Sequence, residues 1–200
     1  TTSAGSLTTA IGTGKVTRTM LEATGKNWQF LGQATANAAV RTGTITWSGT
    51  YKQLMIEYFI AGYSGAAIGR VLIGPTGGIT ETGTDCCTEL IEGVTRTTTS
   101  VSLSGWPTAV TAAAVARFGW FDVDNQASVV KRGNGNGQHS GTAPTTIPTG
   151  MLMRGMKNDT TNVMVKAEMA VYASATTGNT VSATTFNNGT YLNVWGRNDD

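Results

Sequence analysis

The run YKQLMIEYFI, Tyr51 to Ile60, decides the fold. Leu54, Ile56, Tyr58 and Ile60 recur at every second position, the period of a pleated strand, so one face of this stretch is expected to be buried. The opposite parity, Tyr51, Gln53, Met55, Glu57 and Phe59, mixes polar with apolar side chains. That face should meet something less uniform than a core, such as an edge, a loop or a neighbouring subunit. A strand of this kind belongs in the middle of a sheet.

Working outward, Ser48-Gly49-Thr50 turns the chain into this strand from TGTITWSGT, where Ile45 and Trp47 alternate with Thr44, Thr46 and Ser48. Further upstream lie WQFL and the pattern VTRTMLE, Val16 to Glu22, which reads as a first strand. Downstream, AGYSG is a Gly-bearing turn and AAIGRVLIG returns as a partner, so the two strands are expected to form a hairpin. Pro75 to Asp85 reads as a loop. Thr95 to Gly105 reads as a polar-faced strand with Val101 and Leu103 inward, closed by Pro107.

Ala109 to Asp124 is where helix and strand readings compete. Ala favours helix, but Val110, Val115, Phe118, Trp120, Phe121 and Val123, with Gly119 in their midst, favour a strand from Ala114 to Val123, with a short helical turn before it. Asn125 to Val130 is expected to continue that pairing, and Lys131 to Thr149, rich in Gly, to be the longest loop. MLMRGM and VMVKAEMAVYA are two further strands. TYLNVW closes the chain after the Asn188-Gly189 turn. Eight to ten short strands with no sustained helical period predict an all-β chain, an antiparallel, jelly-roll-like β-sandwich.

Composition agrees. Of 200 residues, 36 are Thr and 26 Gly, and only 13% are charged, against roughly 25% in typical soluble domains. Thr suits a half-buried pleated surface and Gly suits turns. Low charge with abundant Thr, Ser, Asn and Gly is common in particles and extracellular assemblies, where much of the surface meets other protein. Residues 16–200 are long enough for one well-cored domain. Thr1 to Lys15, small and Gly-punctuated, carry too little apolar surface to pack alone and are expected to form an extended arm. A formal net charge of +2 with scattered Lys and Arg supplies no basic field for nucleic acid, and no apolar run reaches membrane-spanning length.

The closing strand GTYLNVWGRND, with the entry pattern NWQFLGQ, the strand YKQLMIEYFI and GRVLIGPTGG, resembles small β-sandwich virion proteins of tailed bacteriophages. In those, found as head-decoration proteins and as tail or fibre modules, the chain commonly ends in a Gly-led strand finishing in an aromatic or Val followed by Gly. The resemblance implies a non-enzymatic structural or adhesive role, commonly in trimers, in a virion assembled from protein made in the host cytoplasm. The expected partners are further copies of the chain and the major capsid or another virion protein. Under the alternative, a receptor- or carbohydrate-binding tail module, the partner is carbohydrate, met by the loops Pro75 to Asp85 and Lys131 to Thr149. No cofactor is implied. The adjacent Cys86 and Cys87 match no pattern of that family and read as two unpaired thiols in or near a loop, with a strained vicinal bridge as the alternative. A coat protein of a small jelly-roll virus is disfavoured, because the arm is not basic.

The expected partner-binding residues are Thr1, Thr2, Ser3, Leu7 and Ile11 in the arm and Asn134, Asn136 and His139 in the Gly-rich loop. The chemistry-bearing candidates are weaker. His139 is the one histidine, and with no strained Gly-x-Ser-x-Gly elbow it reads as a solvated loop residue. Asp122, Asp124 and Asn125 sit at a spacing that suits Ca²⁺ or a sugar hydroxyl, but without the Gly and distal Glu of a Ca²⁺ loop. Glu57 and Glu168 would make a glycosidase acid pair only if their strands were neighbours. GNGNG, Gly133 to Gly137, lacks the Lys-Ser/Thr of a phosphate loop. Trp28, Trp47, Trp106, Trp120 and Trp195 read mostly as core or interface, with a sugar-stacking platform as the alternative.

Overall fold

Tyr51 to Ile60 supplies the third strand of the computed structural model, which describes residues 28–79, 86–92, 95–98, 106–107, 116–139, 149–173 and 181–198. In β3 (Gln53–Ile60) the residues Leu54, Ile56, Tyr58 and Ile60 are fully buried, while the alternate positions are half-buried, as the two parities predict. The arm from Thr1 to Lys15, the strand Val16 to Glu22, the positions Val101 and Leu103 and the helical turn before Ala114 lie outside the described residues.

The other strands are β1 (Gln29–Ala36), β2 (Ile45–Thr46), β4 (Ile68–Gly74), β5 (Cys86–Glu92), β6 (Thr95–Thr98), β7 (Trp106–Pro107), β8 (Arg117–Asp124), β9 (Lys131–His139), β10 (Thr149–Lys157), β11 (Lys166–Tyr172) and β12 (Thr190–Arg197). They form an eight-stranded sheet in the order β1-β12-β3-β8-β9-β10-β5-β6 and a four-stranded sheet in the order β2-β11-β4-β7. Every pairing is antiparallel. Set aside the hairpins β5-β6 and β9-β10, and each sheet has four strands, β1-β12-β3-β8 and β2-β11-β4-β7. The first strand then pairs with the last and the second with the last but one, which is the jelly-roll arrangement of a two-sheet sandwich. The chain is all-β, as its composition predicts.

The core lies between the sheets. Leu54, Ile56, Phe121, Leu192 and Val194 of the large sheet meet Ile45, Val71, Ile73, Met169 and Val171 of the small one. A second cluster, Ile68, Leu72, Ala170 and Tyr172, lies on the other side of the small sheet, packed by Ile79 and Val181. Consequently β4 is buried along its whole length.

Several expectations are corrected. β3 and β4 do not form a hairpin: β3 pairs with β12 and β8, whereas β4 pairs with β11 and β7 in the other sheet. Both strands are apolar and need two hydrogen-bonded neighbours, so the segment between them crosses from sheet to sheet instead of folding one onto the other. It is held there by the bridge of Tyr63 to Phe186. Asn125 to Val130 does not extend β8 but turns the chain into β9, with Ser128 at φ 67°. Cys86 and Cys87 are strand residues opposite Lys157 and Met156, not loop residues. Pro107 pairs with Arg70 in β7, an edge position where its missing N–H is tolerated.

The largest correction concerns the supposed Gly-rich loop, whose residues 131–139 are strand β9. Its exposed positions are Arg132, Asn134, Asn136 and Gln138, while Gly133 and Gly135 face inward. A Cβ on Gly135 would collide with the Trp120 carbonyl and the Phe121 side chain, and one on Gly119 of β8 with the Tyr58 ring. Glycine here makes room for core aromatics. Asn188-Gly189, by contrast, acts as a turn, with Gly189 at φ 90° leading into β12.

Candidate functional site

The half-buried parity of β3 faces away from the core, and the register carries that outer face across the large sheet. Glu57 stands opposite Asn193 on β12 and Trp120 on β8, and Met55 opposite Trp195 and Asp122. On β9, Asn136 lies opposite Trp120 and Asn134 opposite Asp122. One sheet face therefore gathers aromatic, carboxylate and amide side chains that are far apart in sequence.

The face holds an open cleft of about 390 Å³ lined by Trp28, Met55, Glu57, Phe118, Trp120, Asp122 and Arg197. Phe118 is 43% and Trp120 36% exposed, large values for such side chains in a sheet. Arg197 lies over the Trp28 ring at 4.7 Å and donates from Nε to Gln53 Oε1 at 2.6 Å. A second, more polar hollow of about 370 Å³ adjoins it, sharing Asp122 and Arg197 and adding Asp124, Arg132 and Asn134. Asp124 Oδ1 is buried there with no hydrogen-bond partner among the described residues.

Glu57 is held in place. Gln33 Nε2 donates to Asn193 Oδ1 at 2.8 Å, Asn193 Nδ2 donates to Glu57 Oε1 at 3.3 Å, and the Tyr191 hydroxyl also donates to Glu57. Burial, with the Glu57 charge and that hydrogen bond behind it, pushes the Tyr191 hydroxyl above its ordinary pKa of 10.0. Further aromatic pairs flank the cleft: Phe59 stacks on Tyr191 with centroids 5.6 Å apart, and Phe30 meets Trp195 edge-on at 5.4 Å. Burial raises the Asp122 carboxyl above 3.8, against the pull of the Arg197 charge.

The predicted residues distribute unevenly over this structure. Asn134 and Asn136 stand on the exposed face of β9 beside the cleft, on a strand instead of a loop. His139 is the last residue of β9, its backbone opposite Arg117 and Thr149. Thr1, Thr2, Ser3, Leu7 and Ile11 lie outside the described residues, as do parts of both contact loops, 80–85 and 140–148.

Glu57 and Glu168 are not neighbours, because they project from the outer faces of different sheets with the core between them. Glu168 pairs with Arg41 and accepts from Thr44 at 3.0 Å. The carboxylate diagonal to Glu57 is Asp122. Asn125 cannot serve a cation with Asp122 and Asp124, since its amide is buried and bonded to Tyr51 and Met164. Among the described residues no group of three or more His, Cys, Asp or Glu could hold a metal ion. Of the tryptophans, Trp47 is core, Trp28 and Trp120 line the cleft, Trp195 flanks it and Trp106 belongs to β7.

Sequence reasoning missed Arg197, Phe118 and the Gln33-Asn193-Glu57 series as parts of one site. The signal was present in the mixed parity of β3, and again in the alternation of Phe118, Trp120, Asp122 and Asp124 on the outward side of β8. Comparison of the chain with protein-family models, with curated proteins and with solved structures gave no match.

Proposed function

We propose that this chain is a structural protein of a tailed-bacteriophage virion that works by binding, as a capsid decoration or cement protein. The observation that carries this reading is the sheet order, β1-β12-β3-β8 against β2-β11-β4-β7, an arrangement used by capsid domains and by lectins. The low charge of the chain and its wide mixed-polarity sheet face suit a surface that meets other protein. The partners in this reading are two further copies of the chain, forming a homotrimer, and the major capsid protein. In this reading residues 1–15 contribute to attachment on the particle.

Light scattering on the whole chain and on a version lacking residues 1–15, followed by co-sedimentation of each with capsids, tests this. A trimer in both, with capsid binding weakened only in the shortened chain, is the expected result. A monomer in solution, or undiminished capsid occupancy without the arm, counts against it.

A second reading, a receptor- or carbohydrate-binding tail or fibre module, is favoured by one observation, the aromatic cleft on the large sheet. Its contact surface then lies on the strands around Trp120, not on the loops. Capsid binding separates the two readings, because a tail module has no affinity for the head lattice.

A further inference from the structure

We infer that the cleft on the outer face of the eight-stranded sheet is a binding site for a neutral pyranose. The ring stacks on Trp120 beside Phe118, and its hydroxyls are received by Glu57 and Asp122. This rests on the carbohydrate-binding reading of the same cleft, although a sugar can bind there whether the chain sits on a head or a tail.

The shape and chemistry argue together. A cleft of about 390 Å³ falls in the range of small-ligand sites, roughly 300–1,000 Å³, and is lined by aromatic walls with a few convergent polar groups. Trp120 and Phe118, two residues apart on β8, keep 36% and 43% of their surface open to water. The C–H face of a pyranose is apolar and matches that surface, while its edge carries hydroxyls that both donate and accept. Two carboxylates accept from such hydroxyls, and the Arg197 guanidinium provides the donating side.

The arrangement is set before any ligand arrives. Asn193 and Tyr191 fix the Glu57 carboxylate, and Gln53 with the Trp28 ring fixes Arg197. Preorganised polar groups of this kind lose little entropy on binding.

The charge balance narrows the ligand. Two carboxylates against one guanidinium leave the cleft net negative, and Asp124 and Arg132 next door offset each other. Uronic and sialic acids are therefore repelled, and neutral hexoses or N-acetylhexosamines are accepted. Asn134 and Asn136 on the adjoining strand add amides for a second sugar ring.

The test uses the full chain on an immobilised array of neutral hexose and N-acetylhexosamine oligosaccharides alongside sialylated and uronic ones. Wild type is compared with Trp120→Ala, Trp120→Phe and Glu57→Gln, each shown by thermal melting to be folded. Binding to neutral glycans is expected, about tenfold or more weaker in Trp120→Ala, partly restored in Trp120→Phe and reduced in Glu57→Gln. Competition by the free neutral oligosaccharide supports the site, and binding that no free oligosaccharide displaces counts against it. No neutral glycan bound, a preference for acidic sugars, or equal binding by Trp120→Ala overturns it. So does a Trp120→Ala protein that changes its solution mass while no form binds sugar, which would make the face a subunit interface.

Discussion

Asn125 and Met164 exchange two hydrogen bonds: Asn125 Nδ2 donates to the Met164 carbonyl at 3.0 Å, and the Met164 amide donates to Asn125 Oδ1 at 2.8 Å. The side-chain amide thus stands in for a strand backbone, and because its Nδ2 also donates to the Tyr51 carbonyl at 3.0 Å, it ties together the end of β8, the entry to β3 and the approach to β11. Both residues are fully buried, so water cannot replace these bonds. Asn125→Ala should cost about 3 kcal/mol, since buried backbone groups are left unpaired. Asn125→Asp should be at least as damaging at neutral pH and recover on acidification, because burial favours the protonated carboxyl and the penalty fades as pH falls. Urea denaturation at two pH values reads both effects. An Asp variant equally unstable at all pH values would contradict this.

Asp159 organises the turn that faces Asn125 to Val130. Its Oδ1 accepts from the amides of Thr161 and Asn162 at 2.9 and 2.8 Å, and its carbonyl accepts from the buried Lys131 ammonium at 2.8 Å. Burial raises its carboxyl, but the hydrogen bonds from Asn162 and Thr161 and the Lys131 charge outweigh that and hold it below 3.8. A carboxylate with a depressed folded pKa stabilises above its unfolded value, and that contribution is lost as pH falls through the folded one. Asp159→Asn should therefore lower the urea midpoint at pH 7 and converge on wild type below the ordinary 3.8. A constant difference across this window would show that the charge plays no part.

Gly135 and Gly150 face each other's strands but predict opposite outcomes. A Cβ on Gly135 would run into Phe121 and the Trp120 carbonyl, whereas one on Gly150 meets nothing within 4 Å. Overpacking of this kind costs about 1–3 kcal/mol, or roughly 3–10 °C of Tm for a chain of this size. Gly135→Ala should melt early by that amount, and Gly150→Ala should be unchanged or slightly raised. Equal melting of the two variants would remove the packing explanation for the GNGNG run.

These residues also show what was legible beforehand. The buried parity of Tyr51 to Ile60 was readable because period two is a property of a strand by itself. Which sheet β4 would join was not, since adjacency in the chain cannot say whether two apolar strands pair or cross over. GNGNG misled for a physical reason: glycine is usually read for its freedom of conformation, and here it serves by lacking a Cβ against Phe121. Asn125 looked like a cation ligand because its carboxylate neighbours are local, while the carbonyls it binds belong to Tyr51 and Met164. The cleft was half visible, in the mixed outer parity of β3, but its Trp28-Arg197 wall joins the first and last described segments.

Asp122 carries the last prediction, because its position works against stability. Burial raises its carboxyl above 3.8 although the Arg197 charge pulls the other way. A carboxyl with a raised folded pKa binds more protons folded than unfolded, so its penalty is absent below 3.8 and fully present above the folded value. Asp122→Asn should therefore leave the protein as stable as wild type or slightly more so at pH 7, and the gain should vanish below 3.8. Arg197→Gln removes the opposing charge and should raise the carboxyl further, read as a higher midpoint in a carbon-detected NMR titration of Asp122. A midpoint unmoved by Arg197→Gln would mean that the two groups do not sense each other across the cleft. An exposed carboxylate whose partial desolvation works against the fold it belongs to, set between exposed aromatics, is a mark of a surface shaped for a ligand more than for stability. If Asp122→Asn gains stability and loses glycan binding together, both roles belong to the same carboxylate.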